Sequence, residues 1–278
     1  DVVRRRHGFR WGIVAGALAL TAYLSGAGHV FIGRGLSEIT SAAFLYLSAL
    51  CVVAARASRS SRLLIAAGAF TVLGVWSREN NLPMALAVAV FAWSLEVPAI
   101  VLWKPRQWFA QVWRPALFAM PAALVIGMAL FALRTWHYTG EFTLRFRSQI
   151  DALPVWQPGM SLREALASMV SSVMMVATTT DPPRFHNGAI PILAGTALSA
   201  AALLGAPFAR RLPFALVVWT MSGFLSALIA RGNAYSGRFS VHVVGSTIAV
   251  LTCPIAALFS RGTAAERSSD SANLERST

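Results

Sequence analysis

Apolar residues run along this chain in long uninterrupted blocks, without the period-two alternation of strands. Eight blocks stand out, at 11–31, 38–55, 62–78, 82–103, 115–136, 189–208, 212–230 and 240–260. The hydrocarbon core of a bilayer takes about 20 residues of helix, so each block predicts one crossing. The third is the shortest, about 25 Å of helix at the usual rise per residue. The pattern predicts an all-α polytopic membrane protein with about eight transmembrane helices: five over residues 1–136 and three over 189–260.

Residues 137–188 break the pattern and predict a long extracytoplasmic loop. Within it Leu162, Ala165, Leu166, Met169, Val170, Val173, Val176 and Ala177 recur at steps of three and four. Arg163, Glu164, Ser168, Ser171 and Ser172 fall largely on the other side. This is the signature of an amphipathic helix lying along the membrane surface, ended by Pro182-Pro183. The segment 261–278 is rich in Ser, Ala and Arg and predicts a disordered cytoplasmic tail.

Composition strengthens the membrane reading. Of 278 residues, 56% are hydrophobic and only 13% charged, about half the charge of a soluble domain. The net charge of +13 would suggest nucleic acid in a soluble protein, but here the cations sit between apolar runs. With the N-terminus in the cytoplasm, the inner segments hold Arg4, Arg5, Arg6, Arg10, Arg56, Arg59, Arg62, Lys104, Arg106, Arg114, Arg210, Arg211, Arg261, Arg267 and Arg276. Five of the nine remaining cations lie at 134–184, around the long loop, and long loops translocate largely regardless of charge. The expected location is a bacterial inner membrane, with both termini cytoplasmic. Cys51 and Cys253 lie inside apolar runs, so no disulfide framework is expected. No Cys/His cluster has zinc spacing. No metal ligands or cofactor are assigned, and a divalent metal is left open.

Ionisable groups at the ends of apolar spans are functional candidates. They gather mainly at the predicted outer ends. Between spans one and two lie Arg34, Ser37 and Glu38. Ser37 has the character of an N-cap, which puts Glu38 in the first turn, where the helix dipole favours a carboxylate. Capping accounts for Glu38 as well as substrate orientation does. Arg78, Glu79, Asn80 and Asn81 follow span three. A tight polar turn beside an interfacial Trp76 explains some of these, and bidentate capture of a phosphate by Arg78 explains more. Between spans seven and eight lie Tyr235, Arg238 and His242. Arg238 and His242 share a helix face if span eight begins early. A snorkelling Arg and a packed His are the plain alternatives. Glu141, Asp151, Glu164 and Asp181 are outer-loop acids that the sequence does not rank, and Glu96 lies nearer the inner end, beside Pro98.

The stretch from Gly33 to Trp93 resembles the middle of the GT-C integral-membrane glycosyltransferases, in the branch of protein O-mannosyltransferases and aminoarabinose transferases. The likeness rests on Ser37-Glu38 opening a helix, the basic inner loop Arg56 to Arg62, and Arg78-Glu79 closing a Gly-rich helix. It extends to Tyr138-Thr139-Gly140-Glu141-Phe142 and to Arg238-Phe239, where Phe stands in place of the family's Tyr. The resemblance implies transfer of a sugar from a polyprenyl-phosphate donor to a glycan, lipid or protein acceptor at the outer face, with no nucleic acid involved. It implies lipid-phosphate or donor binding for Arg78, Glu79 and Arg238, and a substrate cavity lined by Arg34, Glu38, Tyr235 and His242. The family's general base lies in an earlier acidic loop that has no counterpart before Glu38. The chain is therefore expected to be a C-terminal portion with little turnover of its own. A transporter or flippase, which needs charged or broken helices near the midplane, and a non-catalytic membrane subunit are the alternatives.

Overall fold

The computed structural model describes residues 2–25, 37–78, 81–92, 97–107, 114–142, 161–164, 189–230 and 242–275. These are overwhelmingly helical and form no strand. A short α1 (Val2–His7) leads into α2 (Phe9–Ser25). Then come α3 (Ser37–Ser58) and α4 (Ser61–Ser77). The next segment is α5 (Leu82–Val88), which tightens into a 3-10 turn at Ala89–Ala92. A further 3-10 turn spans Ala99–Trp103. The remaining long helices are α6 (Arg114–Thr139), α7 (Ala189–Leu203), α8 (Phe214–Ala230) and α9 (Val244–Glu275).

Two helical windows, Ile39–Ser58 and Arg114–Thr139, have the length and apolarity to cross a membrane. Six shorter apolar helices accompany them among the described residues. α6 leaves Phe118, Val125, Ile126, Leu130 and Leu133 on the surface. A core helix of a water-soluble protein would bury such residues.

The closest pairing is the antiparallel α3–α4 hairpin. Its contacts step regularly away from the turn at residues 59–60. Ser48 Oγ donates to Ala67 O at 2.7 Å and lies 2.6 Å from Thr71 Oγ1. About two turns further along, Ser41 Oγ donates to Gly74 O at 2.6 Å. Interhelical hydrogen bonds of this kind contribute about 0.6 kcal/mol each in membrane proteins. Gly74 has no side chain because a Cβ there would meet Leu45 at 2.8 Å. α6 packs on the other flank of α4, with Gly127 against Val72 and Trp76 Nε1 donating to Gly127 O at 3.0 Å.

α7, α8, α9 and α2 form a second group, in which α9 contacts all three of the others. Gly195 of α7 sits against Thr247 of α9, and Gly223 of α8 against Val243. The segment Leu82–Ala92 joins the two groups. Met84, Ala85, Ala87, Val88 and Ala89 are all buried, and the segment contacts α3, α4, α6 and α8.

The fourth predicted span, 82–103, is thus corrected from one helix to a broken one. α5 ends at Val88, and Val97-Pro98 runs extended before the Ala99–Trp103 turn. Pro98 accounts for the non-helical backbone at its own position: it cannot donate a helical hydrogen bond, and it disfavours a helical Val97. The freed backbone groups pair with the turn before α8 instead. Ala99 N donates to Leu212 O at 2.8 Å, Ile100 N to Arg210 O at 2.8 Å, and Phe214 N to Val97 O at 2.8 Å. Val97, Ala99, Leu212 and Phe214 are buried, so the non-helical backbone is covered by protein, as an apolar setting requires.

Two other expectations change. α9 continues as helix to Glu275, where a disordered tail was expected from residue 261. Ala, Glu and Arg in 261–267 favour helix, and no proline interrupts the run after Pro254. His242 lies in a turn before α9 begins at Val244. Arg238, expected to share a helix face with it, lies outside the described residues. The predicted loop helix is described only over Ser161–Glu164, where a capping box opens it. Glu164 accepts from Ser161 N at 2.8 Å and from Ser161 Oγ at 2.7 Å, while Glu164 N donates to Ser161 Oγ at 3.3 Å.

Candidate functional site

Residues in or beside three of the predicted outer clusters meet in one place. Ser41 stands one turn inside α3, Asn81 opens α5, and His242 precedes α9. All three are buried, with Ser41 at 0%, Asn81 at 1% and His242 at 1% exposure. The turn that delivers Asn81 comes from the end of α4. Arg78 caps that helix, its backbone N–H donating to Gly74 O and Val75 O. Asn81 N then donates to Arg78 O at 3.1 Å.

The hydrogen bonds among these residues fix one another's direction. Gly74 O can only accept, so the Ser41 hydroxyl spends its proton there. Ser41 Oγ must then accept from Asn81, which sets the amide nitrogen, not the amide oxygen, toward Ser41 at 2.7 Å. That same nitrogen lies 2.8 Å from His242 Nε2. The imidazole nitrogen must therefore accept, and His242 is neutral with its ring proton on Nδ1.

The backbone of His242 is held as firmly as its ring. Its carbonyl oxygen accepts from Tyr46 Oη at 2.8 Å and from Trp219 Nε1 at 3.0 Å. Tyr46 and Trp219 meet at a tilt, 5.2 Å between centroids, and Phe91 meets Trp219 edge-on at 5.1 Å. Aromatic pairs in this geometry contribute about 0.5–1.5 kcal/mol beyond their burial. The turn at 242–243 is thereby clamped between α3, α5 and α8.

Of the predicted site residues, Arg78 and His242 are described together with their surroundings. Glu38 is placed only by its backbone, in the first turn of α3. Ser37, expected as an N-cap, is itself the first helical residue. Arg34, Glu79, Tyr235, Arg238 and Glu96 lie outside the described residues. The structure does bring the neighbourhoods of Glu38, Arg78 and His242 together. It does so through the hydrogen bonds among Ser41, Asn81 and His242.

Sequence reasoning passed over Ser41, Tyr46 and Trp219, and took Asn81 only as part of a polar turn. A signal for Asn81 was present: it is the second of two adjacent amides, directly before the Leu-Pro that opens an apolar run. Tyr46 and Trp219 carried none, since aromatic residues inside apolar spans usually pack without a polar role. Outside this region, Arg134 lies over the Tyr138 ring at 5.5 Å, and Trp136 and Tyr138 in the last turns of α6 and Phe142 beyond it are exposed. Glu141 is exposed as well. No His/Cys/Asp/Glu group capable of holding a metal occurs among the described residues. No protein family, curated protein or solved structure matches the chain.

Proposed function

We propose that this chain belongs to a multi-pass membrane glycosyltransferase that moves a sugar from a polyprenyl-phosphate donor to an acceptor hydroxyl at the extracytoplasmic face. One observation supports this reading above the others. Segments in or beside three polar clusters, 201 positions apart at the extremes (41 to 242), meet through Ser41, Asn81 and His242. Glu38 precedes Ser41 by three residues, Glu79 precedes Asn81 by two, and Arg238 precedes His242 by four. In the proposed site the buried network holds these three segments, and the charged residues beside it face the donor.

In the reaction, the acceptor oxygen bonds to the anomeric carbon as the bond from that carbon to the phosphate oxygen breaks. The acceptor's proton passes to a base, and the lipid leaves as polyprenyl phosphate. Arg78 and Arg238 supply guanidinium donors for the phosphate charge that grows as the bond breaks. Glu79 positions the donor, and no residue of this chain is assigned as the base. The setting in eight apolar helices follows from the donor, whose tail is insoluble in water.

Photo-crosslinking with a benzophenone-tagged polyprenyl phosphate tests the site without knowledge of the sugar. The full chain in membranes is expected to label, and Arg78→Ala and Arg238→Ala each to lose tenfold or more of the labelling. Equal labelling of the wild type and both variants would sink the proposal. A second reading, a lipid transporter, draws on the broken span between Leu82 and Trp103. It requires the break to become accessible from each side in turn. A cysteine at Ala99 that never reacts with a membrane-impermeant reagent from either side would exclude it.

A further inference from the structure

A second site lies at the turn between α3 and α4, at the predicted inner end and remote in sequence from the outer clusters. A cavity of about 600 Å³ is lined by Arg56, Arg59, Ser60, Ser61, Leu64 and Pro115. Its rim carries two guanidinium groups and two hydroxyls, and Leu64 and Pro115 supply apolar wall. Ser60 caps α4, its side chain accepting from Leu63 N at 3.4 Å. The remaining first-turn N–H groups of this 17-residue helix have no intrahelical acceptor and carry the positive end of its dipole.

The backbone adds to this. Arg59 takes φ +52°, the left-handed conformation that usually selects glycine at the end of a helix. The chain keeps an arginine there.

We propose that this cavity binds the phosphate group of an anionic membrane lipid, with the guanidinium groups of Arg56 and Arg59 and the Ser60 and Ser61 hydroxyls on the phosphate oxygens, and Leu64 and Pro115 against the start of the acyl chains. The mixed lining argues for an amphiphile: a free anion has no use for the apolar wall. The site would fix the α3–α4 hairpin to the inner leaflet and so hold its far end, where Ser41 meets Gly74, in register. This rests on the reading that the apolar helices lie in a bilayer.

The full chain is purified in a nonionic detergent and titrated with phosphatidylglycerol, phosphatidylcholine and inorganic phosphate, and retained lipid is counted by native mass spectrometry. Phosphatidylglycerol is expected to be held in preference to phosphatidylcholine. Arg56→Gln and Arg59→Gln should each weaken retention about fivefold, the effect of one basic residue at an anionic surface. Arg59→Lys keeps the charge and should restore most of it. Arg4→Gln, Arg5→Gln and Arg10→Gln, cations of the same end outside the cavity, should change it little. Equal retention by wild type and the R56Q/R59Q double variant would overturn the proposal, as would an equal loss from the three outlying substitutions. Binding of inorganic phosphate without retention of phosphatidylglycerol would reassign the cavity to a free anion. Membrane fractionation of the same variants separates the two readings. A chain that sediments with membranes but ignores the cavity substitutions defeats this inference alone, and a chain in the soluble fraction defeats the membrane reading beneath it.

Discussion

Asn81 is the residue on which the polar network turns. Its amide nitrogen donates to both Ser41 and His242. Replacing it with leucine leaves two buried acceptors unmet and removes the link between α3 and the start of α9. A buried polar group stripped of its partner costs about 1–3 kcal/mol. Asn81→Leu is therefore expected to destabilise the detergent-solubilised protein by about 2–4 kcal/mol in a reversible unfolding titration, with both acceptors affected. Ser41→Ala alone should cost less. The double variant should cost less than the sum, because the two residues share one hydrogen bond. Strict additivity would mean that the Ser41–Asn81 bond contributes nothing. None of this could be taken from the sequence, because an asparagine in a polar turn and one closing a buried network look identical until their partners, 40 and 161 positions away, are placed.

Helix positions were largely legible because they follow from local apolar length. Blocks expected at 38–55, 62–78 and 115–136 appear as Ser37–Ser58, Ser61–Ser77 and Arg114–Thr139. The broken span was less legible, although Pro98 marked it. Whether a proline kinks a helix or ends it depends on whether another segment can take up the freed hydrogen bonds. Here Leu212 and Arg210 do so. The capping box at Ser161 was passed over in the sequence, although Ser-x-x-Glu stands there, and it carries a pH dependence. Hydrogen bonds from Ser161 hold the Glu164 carboxyl below its ordinary value. A depressed carboxyl stabilises the helix start at neutral pH and loses that contribution as acid protonates it. The amide of Ser161 should thus exchange slowly at pH 7 and speed up, relative to its intrinsic rate, as pH falls below about 4. Glu164→Gln should flatten that profile, and an unchanged profile would exclude the box as the source of protection.

At the scale of the whole molecule, the proposed sidedness makes the sharpest prediction. A single cysteine at Ser60 should react with a membrane-impermeant maleimide only from the cytoplasmic side, and one at Glu141 only from the outside. Cys51 and Cys253 would first be replaced by alanine. Labelling of both positions from the same side would overturn the topology and the outer site with it. Arg6 Nη2 donates to Arg211 O, and Trp11 lies 5.8 Å from Phe259, so three predicted inner segments meet. What the sequence determined by itself is the helical character and the extent of most apolar spans, because both depend on runs of neighbouring residues and on the cost of exposing them. What only the tertiary structure decided is which polar residues share a proton-ordered network, where a span breaks, and which turn opens into a cavity. Those depend on segments that meet across the bundle, and hydrogen bonds at 2.6–2.8 Å between residues 33 to 161 positions apart leave no mark on the local pattern of either partner.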